Sequence, residues 1–404
     1  MATTTPNFGW AVPTSSDLVK NGATAIETLG DSIDASMAEL KGGTTGQVLA
    51  KTSATDMDFT WTTPSAGSSG STNVAGKNNI LNSAMNVAQR GTSFTIASST
   101  ATYTLDRWQA YRTATGMTVT QQNTSDTTNL AFIQKCVRLA RDSGTTATAA
   151  IQYVQTIESV NSIPYAGKQV TLSFYARAGA NYSPTSSALL VYLQTGTGTD
   201  QNYINGFTGA TNIVSGSTAT LTTTWQRFTF TATVGATATQ LAVALNMNPT
   251  GTAGANDYCE VTGFQLEAAA AASAYSPNAA TFQGELDACK RYYRKSYSQG
   301  TAPATAATSG GLEFAQGYTA LADAAPFKSV ALNPTMRTTP TVTVYSYNGT
   351  AAKVSTNGGA DLAVNSGVSL HVGDASFAVS NQSGGSITPA SGGFVFHYVA
   401  SAEL

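Results

Sequence analysis

The sequence predicts a mainly β protein, and its composition gives the first evidence. Threonine is frequent and the 404 residues include 37 glycines. β-Branched side chains fit a pleated sheet, and glycine adopts the positive φ of tight turns. Charged residues make up only 10% of the chain, against about 25% in a typical soluble domain. Hydrophobic residues make up 42%, which is enough for ordinary cores, so we expect several folded β modules.

The composition also disfavours several classes of function. The formal net charge is −2, whereas nucleic-acid binding needs clustered Lys and Arg, so no nucleic acid is expected as a partner. No apolar run approaches the ~18 residues of a membrane span, and the start MATTTPNFGW lacks the features of a signal peptide. We expect synthesis in a cytoplasm without membrane insertion. Cys136, Cys259 and Cys289 form no CxxC pair, which predicts buried free thiols and no cofactor.

Residues 15–40 predict a short coiled-coil helix. Its seam has the three-and-four spacing of a heptad repeat, at Val19, Gly22, Ile26, Leu29, Ile33, Ser36 and Leu40. The repeat is short and has Gly and Ser at two seam positions, so the helix alone would be marginal in water. We expect partner chains or a docking surface to cover the seam. The alternative is an ordinary amphipathic helix packed on its own domain.

Residues 41–64 predict a small β segment that one chain cannot bury. GGTTGQVLAKTS and DMDFTWTTP are typical of two short strands, which carry Val48, Leu49, Phe59 and Trp61. Several copies of the segment meeting around an axis would bury these side chains together. A Ser/Gly run at 65–72 is typical of a flexible linker.

Residues 73–272 predict a jelly-roll-like β-sandwich, because short alternating runs such as KQVTLSFYARA and TQLAVALNM recur at sandwich-like spacing. Alternation within the strands separates two faces. The predicted core face holds Leu172, Phe174, Leu189, Val191, Leu193, Phe228, Phe230, Leu241, Val243, Leu245 and Val261. The opposite face holds Tyr175, Arg177, Tyr192, Gln194, Trp225, Arg227, Tyr258 and Glu260.

The rest of the chain predicts a connecting helix and a second β module. Within 273–300, TFQGELDACKRYYRKSY has apolar residues at helical spacing and predicts a helix of about four turns. Residues 301–404 contain alternating runs and Asn-Gly and Gly-Gly turns, which are typical of antiparallel strands.

Four stretches of the chain resemble parts of bacteriophage tail-fibre and minor tail proteins. FGWAVPTSSDLVKNGATAIETLGDSIDA followed by GGTTGQVLAKTSATDMDFTWTTP resembles the virion-anchoring start of such fibres. NNILNSAMNVAQRGTSFT with YTLDRWQAYR is similar to the opening of a sandwich found in phage fibres, and GFQLEAAAAASAYSPNAATFQGELDACKRYYRKSY to its closing segment. FVFHYVASAEL is similar to the last strand of fibre tips. Sandwiches of this kind look like carbohydrate-binding modules.

The resemblance implies a homotrimeric virion protein with one fixed end and one distal end. Residues 1–14 would be the anchoring peptide, with Phe8 and Trp10 as anchor residues toward a tail or other virion adapter protein. The distal tip domain, 301–404, would face the host surface. The trimerisation residues would be Val19, Ile26, Leu29, Ile33, Leu40, Val48, Phe59 and Trp61.

No catalytic or metal constellation stands out in the sequence, so we expect no enzyme and no metal. A hydrolase needs a carboxylate pair or a nucleophile with a base. Asp257 and Glu260 are close in sequence, but their strand parity points them to opposite faces. His371 and His397 are expected to be surface or core residues. The alternative is that threefold symmetry brings copies of one histidine to an axis and binds a metal.

The face opposite the sandwich core is the predicted glycan-binding site. Sugars stack on aromatic rings while their hydroxyls bind amide and charged groups. The candidates on one sheet are Tyr175, Arg177, Tyr192, Trp225 and Arg227. The alternative is that a loop or a neighbouring subunit covers this face.

These observations lead to one functional prediction with two alternatives. The chain is expected to be a trimeric tail fibre that anchors by its N-terminus and binds a host cell-surface polysaccharide. The alternatives are a purely structural head or neck appendage and a polysaccharide depolymerase.

Overall fold

The computed structural model describes residues 3–16, 18–55, 57–63, 77–316, 327–356, 359–363, 372–380 and 393–404. The chain divides into two compact units, Met1–Ser71 and Thr72–Leu404. Among the helices of the described residues, none has the length and apolar character needed to cross a membrane. The described elements are mostly strands, which confirms the predicted mainly β class.

The first unit contains two hairpins and one helix. Its elements in chain order are β1 (Thr3–Thr4), β2 (Ala11–Val12), a 3-10 turn at Val19–Asn21, α1 (Gly22–Met37), a second 3-10 turn at Ala38–Leu40, β3 (Val48–Lys51) and β4 (Phe59–Thr62). β1 pairs with β2 and β3 with β4, both antiparallel. α1 lies within the predicted helical range 15–40, and β3 and β4 lie within the predicted β segment 41–64.

The apolar seam of α1 is not covered within this unit. No residue of α1 is buried, and Val19 is 96% and Ile26 65% exposed. Leu29 and Ile33 are half-buried. The first unit therefore leaves the seam accessible, and the predicted partner chains stay a prediction.

The second unit begins with a sandwich of two six-stranded antiparallel sheets. The first sheet has the spatial order β13 (Thr211–Thr220), β12 (Ala188–Gly196), β15 (Gln240–Met247), β10 (Ile151–Ile157), β7 (Gln109–Arg112) and β6 (Thr102–Tyr103). The second has the order β14 (Gln226–Thr233), β11 (Gln169–Ala178), β16 (Tyr258–Glu267), β9 (Lys135–Arg141), β8 (Met117–Asn123) and β5 (Ser93–Thr95). This arrangement confirms the predicted two-sheet sandwich.

The predicted core face is confirmed. Leu172 and Phe174 of β11 are fully buried between the sheets, and the other predicted core side chains belong to the same cluster or pack against it. At the centre the Trp108 ring stacks on Tyr153, with centroids 5.0 Å apart, and lies 4.6 Å from Phe264. The outward residues of β11 are then fixed by alternation.

Asp257 and Glu260, which are close in sequence, have different partners in the structure. Asp257 accepts a hydrogen bond of 2.8 Å from Arg141 Nη1, and both side chains are fully buried. Glu260 binds Arg138 and Arg177 instead. The two carboxylates have separate partners, so they do not form a pair.

After β16 the chain forms a second β module around one long strand. The elements are α3 (Phe282–Lys290), β17 (Tyr293–Lys295), β18 (Glu313–Gln316), β19 (Phe327–Ala331), β20 (Thr341–Tyr345), β21 (Lys353–Thr356), β22 (Asp361–Ala363), β23 (Ser376–Ser380) and β24 (Gly393–Ser401). β24 pairs with β17, β18, β20 and β21. Its fully buried rings, Phe394 and Phe396, belong to the core of this module.

The connecting helix is shorter than predicted. α3 begins after the cap Thr281, whose Oγ1 accepts a hydrogen bond from the Gly284 amide. It ends at Lys290, and Tyr293–Lys295 pairs with β24. The segment after Lys290 forms a strand although its apolar residues have helical spacing. As a strand it buries Tyr293 and Lys295 on one face, and this tertiary packing outweighs the local helix propensity.

The last residues of the chain lie against the sandwich and fasten the second β module to it. The Glu403 carboxylate binds Arg90 at 2.8 Å and also binds Arg107. The backbone oxygen of Leu404 accepts hydrogen bonds from Tyr103 Oη at 2.8 Å and from Asn202 Nδ2 at 2.7 Å. We call the ion pairs of Glu403 with Arg90 and Arg107 the Glu403 clasp.

The three cysteines are free and buried, as the sequence predicts. Burial raises the pKa of each thiol above its ordinary value. We expect almost no reaction of the folded protein with a thiol reagent at about pH 8, because the thiolate is the reactive form. All three thiols should react after unfolding in urea. The absorbance of the released chromophore measures both, and rapid labelling of the folded chain would contradict this burial.

Candidate functional site

The outer face of the second sheet carries three neighbouring aromatic rings. We call Phe132, Tyr175 and Tyr275 the aromatic cluster. The Phe132 ring lies edge-on to Tyr175, with centroids 6.1 Å apart, and is nearly parallel to Tyr275 at 6.2 Å. Phe132 is 61% exposed, and both tyrosines are half-buried. The cluster is therefore a partly open apolar surface on the sandwich.

The loop between β8 and β9 holds Phe132 in this position. Leu130 and Ile133, on either side of it, are buried and pack on Cys136 and Trp225. The Ile133 amide donates to the Leu130 carbonyl at 3.0 Å, and its carbonyl accepts from Thr124 Oγ1 at 2.6 Å. Because Leu130 and Ile133 anchor the loop, Phe132 projects outward from a fixed segment.

A β-bulge places Tyr175 beside Phe132. The register of β11 against β16 shifts between Ser173 and Tyr175, and Gly263 of β16 has φ +63° at this point. A Cβ on Gly263 would lie 2.8 Å from Tyr175 Cδ2 and 2.7 Å from Ile133 Cδ1. Glycine is needed here for two reasons: it adopts the positive φ of the bulge, and it leaves room for the Tyr175 ring, which a Cβ would clash with.

Tyr275 lies in the segment that follows β16, and this segment covers part of the same face. The amides of Ser273 and Ser276 donate to Glu267 Oε1 at 2.8 Å and to Gln265 Oε1 at 2.7 Å. Both acceptor side chains are consequently buried. A loop therefore covers the part of this face near Gln265, which is the alternative to glycan binding that the sequence left open. The part around Tyr175 stays open.

Next to the cluster, a buried carboxylate holds two arginines. Glu260 is fully buried, and its Oε1 accepts from Arg138 Nε at 2.8 Å and Nη2 at 2.6 Å. Its Oε2 accepts from Arg177 Nε at 2.6 Å. The arginine side chains are 30% and 27% exposed. We call Arg138 and Arg177 the arginine pair.

Aromatic rings support the arginine pair from below. The Arg177 guanidinium lies 5.2 Å from the Trp225 ring centroid, and that of Arg138 lies 4.0 Å from Tyr258. Cation–π contact and charge-assisted hydrogen bonds together fix the orientation of both groups. The site thus combines a fixed apolar surface with fixed cationic donors.

Four of the five predicted glycan residues lie near one another, and three of these reach the outer surface of the second sheet. Tyr175, Arg177 and Arg227 share the outer face of the second sheet, where Tyr175 pairs directly with Arg227. Trp225 is only 3% exposed and packs under the β8–β9 loop, so it is a support and not a stacking surface. Tyr192 lies on β12 in the first sheet. Placing all five on one sheet was wrong, because parity fixes the face of a strand but not the sheet that the strand joins.

Phe132, Tyr275 and Arg138 are not among the residues predicted from the sequence. The run LAFIQ does not distinguish its exposed ring from the buried Leu130 and Ile133, and Tyr275 lies outside any strand. Arg138 could have been found, because it alternates with the core residues Val137 and Leu139 on β9 and therefore faces the outer side, where it lies directly opposite Glu260 in the pairing of β9 with β16.

A groove with a volume of about 400 Å³ runs along the loop that carries Phe132. Its lining combines the apolar residues Leu130, Ala131 and Ile133 with hydroxyl, amide and carboxylate side chains, those of Asn123, Thr124, Ser125, Asp126, Thr127 and Gln134. Such groups bind sugar hydroxyls, while rings accept the apolar C–H side of a sugar. The site is suited to a polar ligand with one apolar face.

The predicted anchor and trimerisation residues lie in the first unit, largely accessible. Phe8 stacks on Trp10 with centroids 4.9 Å apart, and Phe8 is 48% exposed. Leu40 and Val48 are 37% and 49% exposed. Phe59 and Trp61 are half-buried, and Trp61 Nε1 donates to the Lys41 carbonyl at 3.1 Å. Their roles in anchoring and assembly stay predictions.

His397 has both ring nitrogens engaged inside the second β module. Nδ1 lies 3.0 Å from Ser296 Oγ and Nε2 lies 3.0 Å from the Thr308 carbonyl oxygen. Burial lowers the pKa of the imidazole, which favours the neutral form. The residue is a core histidine. His371 lies outside the described residues, and those that are described hold no group of three His, Cys, Asp or Glu arranged for a metal.

The two-sheet sandwich makes this a mainly β protein. Comparisons with known sequences and solved structures show which proteins it is similar to. No protein-family profile matches the chain, and no curated protein sequence matches it. Among solved structures it is similar to the enzymatically active domain of tailspike protein 4 of bacteriophage CBA120, at 17% identity and TM-score 0.30. The alignment covers 47% of this chain and 21% of the tailspike chain.

Two of the other similar structures are carbohydrate-binding modules. The xylan-binding CBM22-1 domain of Paenibacillus barcinonensis is 14% identical, with 49% of this chain and 98% of that chain covered and a TM-score of 0.28. A CBM4 structure is 24% identical, with coverage of 33% and 70% and a TM-score of 0.23. These scores are low, so the function has to be inferred from the chain's own residues.

Proposed function

We propose that this protein is a trimeric bacteriophage tail fibre whose sandwich binds host-surface glycans through the aromatic cluster. The single observation that carries glycan binding is the exposure of Phe132. Its ring is 61% exposed although Leu130 and Ile133, in the same short loop, are anchored in the protein. An exposed ring in a fixed position, flanked by tyrosines and arginines, is the arrangement on which a sugar ring stacks.

The fibre part of the proposal is supported by the resemblance of residues 1–64 to phage fibre starts and by the uncovered seam of α1. A 16-residue helix with no buried residue gains little stability from its own chain. Three copies would bury Ile26, Leu29 and Ile33 against one another. Three sandwiches on one particle would also bind a polysaccharide at high effective concentration, which offsets weak binding by each site.

The proposal includes no catalytic step. Both oxygens of Glu260 are occupied by the arginine pair, and Asp257 is paired with Arg141 inside the sandwich. A depolymerase would need a carboxylate able to reach a glycosidic bond. Release of new reducing ends from a bound polysaccharide would favour that alternative.

Replacing Phe132 by alanine tests the carbohydrate site. We expect Phe132→Ala to weaken retention on a polysaccharide by at least about tenfold, because the main stacking surface is lost. The melting temperature should stay nearly unchanged, since the ring is exposed. The measurement is binding of the full-length chain to a panel of purified bacterial capsular polysaccharides and to whole cells.

Val160→Ala is the matched control for this experiment. Val160 is 62% exposed and lies on the short helix α2 (Ser159–Ser162), away from the aromatic cluster. Its replacement should leave binding unchanged. If no polysaccharide or cell retains the wild-type chain, the structural-appendage alternative is favoured. If Phe132→Ala binds as well as wild type, the site lies elsewhere on the molecule.

A further inference from the structure

The open part of the second sheet is locally cationic on a chain that is acidic overall. The formal net charge of the chain is −2, yet the outer face of this sheet places Arg138 and Arg177 on the single carboxylate of Glu260. Arg227 lies on the same face, 5.7 Å from the Tyr175 ring centroid. The acidic neighbours are already engaged, because Glu260 is held by two arginines and Glu267 by Lys77.

The arginine pair has donors left over after binding Glu260. Arg177 uses only Nε and Arg138 uses Nε and Nη2. Within the described residues, Nη1 and Nη2 of Arg177 and Nη1 of Arg138 have no hydrogen-bond acceptor. Guanidinium groups fixed by a buried carboxylate lose little entropy when they bind a second anion, and their planar fork matches a carboxylate or a phosphate.

Asp126, an acid close enough to Arg177 to interact with it, is held in its own turn. Asp126 Oδ1 accepts from the amides of Thr128 and Asn129 at 2.8 and 2.7 Å, and its Oδ2 accepts from Asn129 Nδ2. These hydrogen bonds, with a smaller effect of Arg177, lower the pKa of Asp126. Asp126 therefore does not supply a direct acceptor to the arginine pair.

Two buried donors beneath the arginine pair have no acceptor. Trp225 is 3% exposed, and its Nε1 has no hydrogen-bond partner among the described residues. Arg227 Nε is a second such donor. Both atoms lie below the surface, so the donors that a ligand on the open face can contact are those of the arginine pair, whose side chains are 30% and 27% exposed.

We infer that the glycan bound at the aromatic cluster is acidic, with a carboxylate or phosphate substituent seated on the arginine pair. This inference rests on the proposed function of the cluster. The ring of one sugar stacks on Phe132, and the anionic group of the same or the next sugar binds Arg177 and Arg138. The aromatic cluster supplies affinity for the sugar, and the arginine pair selects charged polysaccharides over neutral ones.

The test compares matched pairs of purified capsular polysaccharides with the full-length chain. Each uronic-acid polymer is offered in its native form and after carboxyl reduction, and each phosphate-bearing polymer is offered before and after dephosphorylation. We expect retention only on native acidic polymers, with at least about a tenfold loss after removal of the charge. The two treatments distinguish the carboxylate from the phosphate. Retention should also weaken as salt is raised.

Arg177→Gln tests the residue, and Arg291→Gln is its matched control. Arg177→Gln leaves Glu260 paired with Arg138, so the sandwich should fold and binding to acidic polymers should fall by about tenfold or more. Arg291 is an arginine of similar exposure that also pairs with a buried carboxylate, Glu158, on another surface. Its replacement should not change binding.

The outcomes separate this inference from the proposed function. If neutral and charge-depleted polymers bind as well as native acidic ones, and Phe132→Ala still abolishes binding, the preference for acidic glycans is wrong and the carbohydrate site stands. If Arg177→Gln binds acidic polymers normally, the arginine pair is not the anion site. If no polymer is retained by the wild-type chain, both proposals fail together.

Discussion

Replacing Glu403 by alanine is expected to destabilise the larger unit by about 3–5 kcal/mol, the usual cost of leaving a buried charge unpaired. Arg107 is 2% exposed and Arg90 12%, and the Glu403 carboxylate binds both. The Arg107 guanidinium also lies 3.7 Å from the Tyr292 ring centroid, so it cannot easily move into water. Removing Glu403 leaves two cations inside the contact between the sandwich and the second β module.

Urea unfolding followed by tryptophan fluorescence measures this effect, since Trp108 lies in the sandwich core. Glu313→Ala is the control, because its ion pair with Lys328 is partly exposed, with side-chain exposures of 26% and 36%. It should change the free energy of unfolding by less than about 1 kcal/mol. Equal effects of the two substitutions would show that the Glu403 clasp does not hold the modules together.

The double substitution Ile26→Asp with Ile33→Asp is expected to convert the trimer to single chains. Both residues lie on the seam of α1, and Ile26 is 65% exposed in one chain. In a trimer the substitutions would place six carboxylates in one apolar core. Each buried, unpaired charge costs several kcal/mol, and the remaining seam is too short to compensate.

Light scattering of the purified full-length chain measures this directly. The wild type should have three times the mass of one chain, and the variant should have the mass of one. Thr24→Asp with Ala35→Asp is the control, since it adds the same charge to exposed positions outside the seam and should leave the trimer intact. A wild-type protein with the mass of one chain would remove the basis of the fibre proposal.

The sandwich core was predictable from sequence because its signal is local. In β11, alternation alone separates Leu172 and Phe174 from Tyr175 and Arg177, and tight packing leaves no other choice of face. The first helix was also predictable, since apolar residues recur at heptad spacing along it. α3 was overestimated because pairing with β24 is a long-range contact that helical spacing does not reveal.

The candidate site was only partly predictable for the same reason. Tyr175 and Arg177 follow from strand parity, but Tyr192 has the same parity and lies on the other sheet. The exposure of Phe132 depends on how the β8–β9 loop packs on Trp225, which is far away in sequence. Sequence alone gives neither the sheet order nor the loop packing.

The loop that carries Phe132 has a consequence for how such a protein would evolve. Its attachment to the sandwich depends on Leu130 and Ile133, while the exposed ring between them contributes little to folding. If the aromatic cluster binds host glycans as proposed, a single codon change at 132 would alter which cells the particle recognises at almost no cost in folding stability. Host range would then drift there first, whereas 130 and 133 would remain apolar across descendants.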